Sequence, residues 1–321
     1  MTTHADGVYQ FGGAPLGPIG FTKVIHCKPR TGRDGNDGLT PLTAVQTLAR
    51  AHTLLSADKN EAVFMYAEDN SASGTTDYQS ATLTWSKDGT HLIGINSGGF
   101  MGMRSRIAQL STATSVSPLV NITASNCSWQ NIHVLQEVND SGSLIAVQIT
   151  GERNYFRNCH FAGMGNNTQD ASGGRSLKLD AAAETLFKDC VIGLDTISRG
   201  TTEAEMEFVN AVTRVKFEDC TFPTLSAAAG FTWIKADTAG AIDRFVLFKN
   251  CLFANAVNSG GTEMTEAFDT HISLGGSIIL QNCGVVGVGA AVWDASTDGV
   301  VFNTAPDAGA NGDGGHAEAV D

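Results

Sequence analysis

Seven cysteines, Cys27, Cys127, Cys159, Cys190, Cys220, Cys251 and Cys283, are the residues with the most obvious capacity for chemistry. Thiolates bind soft metals and exchange disulfides, so a regular row of them is a candidate redox or metal ladder. Zinc sites draw ligands from short spacings such as CxxC, and none occurs here. An odd count is awkward for a disulfide framework, and neighbouring positions on parallel strands fit disulfide geometry poorly. The favoured reading is a column of small buried hydrophobes, a role free cysteine fills well.

Carboxylates are the other candidates. Asp180, Glu184, Asp195, Glu205, Glu207, Asp237 and Asp243 fall in the segments between cysteines. Glycoside cleavage needs two carboxyl groups at a defined separation, so polysaccharide hydrolysis or lysis is the enzymatic alternative. Nothing in the spacing selects a pair. His133, His160 and His271 lack i, i+4 partners and read as satisfied or surface residues. No Gly-x-Ser-x-Gly elbow, P-loop or HExxH is present. Accordingly no catalytic residue, cofactor or metal is assigned, and the chain is read as a non-enzyme.

The spacing says what must position these residues. From Cys127 onward the gaps are 32, 31, 30, 31 and 32 residues. A fixed period of this size marks a repeat architecture. The flanks repeat as well: Asn126, Asn158, Asp189, Asp219, Asn250 and Asn282 each precede a cysteine, and an apolar residue stands two beyond it. The position two before each cysteine is polar, which is the alternation of a strand. Asn and Asp tolerate the left-handed conformation of a sharp bend, so each unit reads as strand, bend, strand. Stacked in register, these six cysteines and six Asn/Asp residues form a structural ladder, with like residue on like. The architecture expected is all-β, a parallel β-solenoid of one strand per face per coil. His91–Ile95 and Ala62–Tyr66 extend the phase backwards. That gives about eight coils, roughly 40 Å at the strand spacing.

A solenoid needs caps at its ends. Residues 40–56 carry Thr40 and Pro41 at an apparent helix start, then Ala44, Val45, Leu48, Ala51 and Leu55 as an apolar stripe. They are expected to form a short amphipathic capping helix. Gly32–Gly38 reads as a turn, and Val24–Cys27 as a short strand with Cys27 in the core. Residues 1–22 are rich in Gly and Pro and read as an extended arm that orders on a partner. The β-helix domain runs over 23–303, and 304–321 is an acidic Gly/Ala-rich tail.

Composition bounds the function. The chain has 321 residues, 36 of them Gly, and a formal net charge of -13, which argues against a nucleic-acid partner. No apolar run is long enough to span a membrane. The start carries no export signal, so assembly in a reducing cytoplasm is expected.

The stretch Val24 to Gly94, with Gly32-Arg33-Asp34-Gly35-Asn36-Asp37-Gly38 before the helix and Ala62–Ala67 after it, is similar to the entry segment of right-handed parallel β-helix proteins of the pectin-lyase-like class. Gly7–Gly13, Leu92–Asn96 and Arg104–Ile107 resemble segments of tailed-phage virion proteins of that class. No lyase motif is present to carry a catalytic residue over. The resemblance implies a homotrimer on the virion. One role is a capsid decoration, or cement, protein on the capsid exterior, bound to the major capsid protein and assembled in the host cytoplasm. The other is a tail spike or receptor-binding protein that holds or cuts host polysaccharide. A chain filled by coils and caps, a 7% aromatic share and the Gly/Pro arm favour decoration.

Overall fold

A computed structural model describes residues 20–68, 76–96, 99–200 and 203–289, and the backbone alone of short strands at 2–3, 9–11, 14–15 and 300–303. The expected tail at 304–321 and Trp293 lie outside the described residues. Within the N-terminal segment, the strands at 2–3, 9–11 and 14–15 pair antiparallel with one another as a separate sheet.

From Val24 onward the strands join three parallel sheets that wind as a β-helix. Sheet I has ten strands, from Val24–Cys27 to Val300–Asn303. Sheet II has nine, from Thr76–Gln79 to Gly284–Val286, counting a side strand at Leu194–Arg199. Sheet III has seven, from Leu83–Trp85 to Phe268–Thr270, which sets about seven complete coils. Alternation places one face of each strand inside, and like residues stack across coils. Phe156, Phe187, Phe217 and Phe248 stack face to face at 4.9, 4.5 and 4.8 Å. Phe222 and Phe253 form a second stack at 4.5 Å. These rings are fully buried and dominate the core.

Two corners flank sheet I, and both use left-handed residues. Between sheets I and II stand Asn131, Asn158, Asp189, Asp219, Asn250 and Asn282, with φ from +48° to +57°. Between sheets III and I stand Asn126, Arg153, Glu184 and Arg214, with φ from +52° to +58°. Ser128 pairs with Tyr155, so Asn126 sits beneath Arg153 and Cys127 beneath Asn154. Asn126 and Cys127, placed in the ladder by their spacing, therefore belong to the other corner. The true neighbour of Cys159 in the preceding coil is Ile132, because His133 pairs with His160. Both corners need a left-handed residue followed by a buried one, and this shared chemistry made the wrong corner mimic the motif.

The capping helix α1 spans Leu48–Leu54, shorter than the stripe over 40–56 implies. Its N-cap is Thr47, whose hydroxyl accepts from Arg50 N at 3.1 Å. Asp34 accepts from the amides of Gln46 and Thr47 at 2.8 and 2.9 Å. Residues 40–45 are not helical because Val45 bridges Cys27 at the sheet edge, while Thr40 and Thr43 close a turn. The helix buries Leu48 and Ala51 over the first coil, and His52 packs on Trp85 at 4.8 Å.

Candidate functional site

The cysteine column consists of Cys159, Cys190, Cys220, Cys251 and Cys283, all as free thiols. Each sulfur donates to a carbonyl of the preceding coil. Cys190 reaches Phe156 O at 3.5 Å, Cys220 reaches Phe187 O at 3.6 Å and Cys251 reaches Phe217 O at 3.6 Å. Cys159 and Cys283 do the same to Trp129 O and Phe248 O, both at 3.4 Å. Burial pushes the Cys190 and Cys220 thiols well up, so they stay protonated. A protonated, buried thiol is a weak donor and neither a nucleophile nor a metal ligand. Cys127, at the other corner, is also free and buried.

Beside this column runs the Asn/Asp corner. Asn158 Nδ2 donates to Asn131 Oδ1 at 2.7 Å, Asn250 to Asp219 at 3.1 Å and Asn282 to Asn250 at 3.4 Å. The amide ladder breaks where Asp189 and Asp219 are neighbours. Cations bridge that break, with Arg157 at 3.5 Å from Asp189 and Lys188 at 3.7 Å from Asp219.

The acidic candidates are mostly committed. Glu205 is fully buried and pairs with fully buried Arg199 at 3.1 Å, while Ser176 and Thr224 donate to it at 2.6 and 3.1 Å. Arg199 also donates to the carbonyls of Met164, Ile197, Gly163 and Leu194, which pins the side strand against sheet II. Gly193 is required next to it, since at φ +114° a Cβ would lie 2.4 Å from Pro223 O. Glu207 holds Arg175 and Lys178, and Glu184 holds Arg153 and Arg214. Asp180 accepts from Gln148 and Asn210, Asp237 pairs with Lys235, and Asp243 pairs with Arg244. Asp195 is exposed. Among the described residues, no group of three His, Cys, Asp or Glu side chains converges to hold a cation.

One open cleft, of about 350 Å³, lies on the outer face of sheet II and is lined among others by Thr76, Tyr78, Arg106, Leu110, Leu135 and Glu137. Tyr78 is 46% exposed and Leu110 is 37% exposed. Beside Arg106, at the paired positions of the next two coils, lies a buried histidine pair. His133 and His160 stack at 4.5 Å with their planes 2° apart. Arg106 Nε donates to His133 Nδ1 at 3.2 Å. His160 Nε2 donates to Gly193 O at 2.9 Å, and its Nδ1 accepts from Gly102 N at 3.2 Å. Desolvation holds His160 down to about 4 and His133 well below the usual range, so both rings are neutral. His271 lies apart, its Nδ1 accepting from Ser273 N at 2.9 Å. The cleft draws on three coils, so no local motif announces it; the only sequence signal is His133 and His160 at matching places in successive coils.

No protein-family model matches the chain, and no curated protein matches it by sequence. Solved structures do match. Pectate lyase Pel9A is 13% identical with a TM-score of 0.54, over 83% of this chain and 63% of the lyase, so this chain spans less than two thirds of that protein. Pectin methylesterase PemA from Erwinia chrysanthemi is 14% identical with a TM-score of 0.51, over 86% of this chain and 81% of the esterase. The Geobacillus virus E2 ORF18 protein is 11% identical over 74% of this chain and 44% of its own, at a TM-score of 0.47 too low to argue from. At such identities the likeness concerns architecture alone: this chain has the right-handed parallel β-helix fold of pectate lyase and pectin methylesterase.

Proposed function

We propose that this chain is a structural protein of a tailed-phage virion, a trimeric decoration protein that docks on the capsid exterior and reinforces the shell. The observation that carries the reading is the commitment of its carboxylates: six of the seven acidic candidates serve ion pairs or hydrogen bonds within the solenoid. Asp180, Glu184 and Glu207 hold groups of neighbouring coils and Glu205 is sealed in the core, while Asp237 and Asp243 pair within one coil, so these carboxyls are engaged and poorly placed for proton transfer to a sugar. Exposed apolar residues such as Leu42, Phe100 and Val286, at 94%, 67% and 57%, suit contact with other protein surfaces. Virions assembled without the chain are expected to form normally and to open at lower temperature than complete virions. Equal thermal stability of the two particles refutes the role.

A second reading is favoured by one feature, the cleft with its exposed Tyr78 beside Arg106 and Glu137. An aromatic face with flanking polar groups suits a sugar ring, as a tail spike or receptor-binding protein requires. It predicts hits on an array of bacterial surface glycans, and an array without hits removes it.

A further inference from the structure

The cations of this acidic chain are unevenly used. Every Lys and Arg beyond residue 150 has a carboxylate within ion-pair distance, among them Arg157, Lys188, Arg214 and Lys249. Several cations nearer the start form none among the described residues, and of these Arg104 and Arg106 are close neighbours. They stand two residues apart, at and just before the strand Arg106–Gln109, so alternation puts both on the same side of the chain. Desolvation first, and then the charge of Arg104, depress the Arg106 guanidinium, while Tyr78 and Glu137 act the other way. Glu137 across the cleft offsets part of this charge without reaching ion-pair distance, so two neighbouring guanidinium groups face one carboxylate and an excess positive charge remains, which a bound anion relieves.

Arg106 is also held in place. Its Nε is engaged by His133, which stacks on a His160 clamped at both ring nitrogens. Locking Nε fixes the orientation of the guanidinium plane and leaves its remaining N–H groups for a ligand. Thr76, paired with Arg106 in register, lines the same cleft, and its buried hydroxyl has no partner. Buried Gln109 is spent, donating to Ala113 O and Ser143 Oγ and accepting from Gln136, while Ser111 and Glu137 are the other polar lining residues. Ala108, Leu110, Leu135 and the ring of Tyr78 supply its apolar walls.

Resting on the protein-docking reading above, we propose that this cleft seats a carboxylate side chain of a partner protein, flanked in the partner by apolar side chains. A planar monoanion matches the guanidinium fork. Glu137 balances one of the two arginine charges and leaves about one net positive charge, which suits a monoanion better than a dianion such as phosphate, and the apolar walls take the flanking side chains. Sugar hydroxyls would find few free polar groups on the floor.

The test uses the purified full chain and the blocked peptide acetyl-Leu-Glu-Leu-amide as probe, followed by NMR chemical shifts of Tyr78 and the Arg106 Nε–H. Saturable shifts are expected, at least tenfold weaker with the Gln analogue of the peptide. Arg106→Gln should abolish binding. Arg104→Gln, at an exposed site, should weaken it several-fold with the fold intact. Absence of saturation, or equal affinity for the Glu and Gln peptides, overturns the proposal. So does tighter saturation by sodium glucuronate, which assigns the cleft to a sugar. Because the isolated chain is measured, a negative result leaves the thermal behaviour of virions to judge the capsid role separately.

Discussion

Truncating Phe217 to alanine tests whether the stacked interior holds the coils together. Phe217 is fully buried, lies 4.5 Å from Phe187 and 4.8 Å from Phe248 with planes 8° apart, and meets Phe222 edge-on at 5.8 Å. Phe→Ala in a core costs about 3–5 kcal/mol. Each aromatic pair adds about 0.5–1.5 kcal/mol beyond area, which places this site toward the upper end of that range. Coils touch only their neighbours, so the loss loosens the middle of the stack and leaves the ends intact. Trp129 lies before the lesion and Trp233 after it, and both are buried. Urea unfolding followed by fluorescence in versions retaining one or the other tryptophan should give a single transition for the parent and two separated ones for Phe217→Ala. The control is Phe245→Ala, at a ring 37% exposed, with a cost of about 1 kcal/mol or less. A loss below about 2 kcal/mol at Phe217, or one no larger than at Phe245, refutes the reasoning.

Three further outcomes follow from named contacts. Glu205→Gln strands the buried charge of Arg199 and should cost about 3–5 kcal/mol in urea unfolding, while Arg199→Met with Glu205→Leu should cost far less; equal losses would contradict this. Asp219→Asn removes the like-charge step next to Asp189 and supplies an amide to the ladder at the loss of a half-exposed pair with Lys188, so it should stabilise by about 0.5–1 kcal/mol, and a destabilised variant would show that the Lys188 pair outweighs the added amide. Stability should fall as pH drops from about 6.5 toward 4, because His52, His91 and His160 are held down to about 4 and their contribution is present only above the unfolded value of 6.5. Asp77, pushed up to about 7 by burial, acts oppositely and stabilises progressively between pH 7 and 3.8, so a flat or rising urea midpoint below pH 6.5 would mean the histidines are not buried neutral.

The repeat was legible because period and chemistry coincide. A left-handed corner accepts Asn or Asp cheaply, and the next position must be small and buried, which Asn158-Cys159 and its successors satisfy. The same logic misled at Asn126-Cys127. There the coil measures 27 residues, from Ile132 to Cys159, and a cysteine at the neighbouring corner falls 32 residues away by coincidence. Helix α1 was legible in its stripe but not in its start, because the bridge between Val45 and Cys27 takes the backbone that Thr40 would otherwise have capped. The cleft was illegible for a topological reason. Tyr78, Arg106 and Glu137 are separated by 28 and 31 residues and meet only because coils stack. Likewise nothing in the spacing of Arg199 and Glu205, six residues apart, announces a buried ion pair, and only the excursion of Leu194–Arg199 over sheet II buries them.

The claim that this solenoid is a docking protein of the capsid is tested most directly by adding the purified chain to virions that lack it and imaging the particles by electron cryomicroscopy. The account predicts new trimeric density at repeated positions on the outer capsid shell. Density confined to the tail, or particles unchanged by saturating protein, contradicts it.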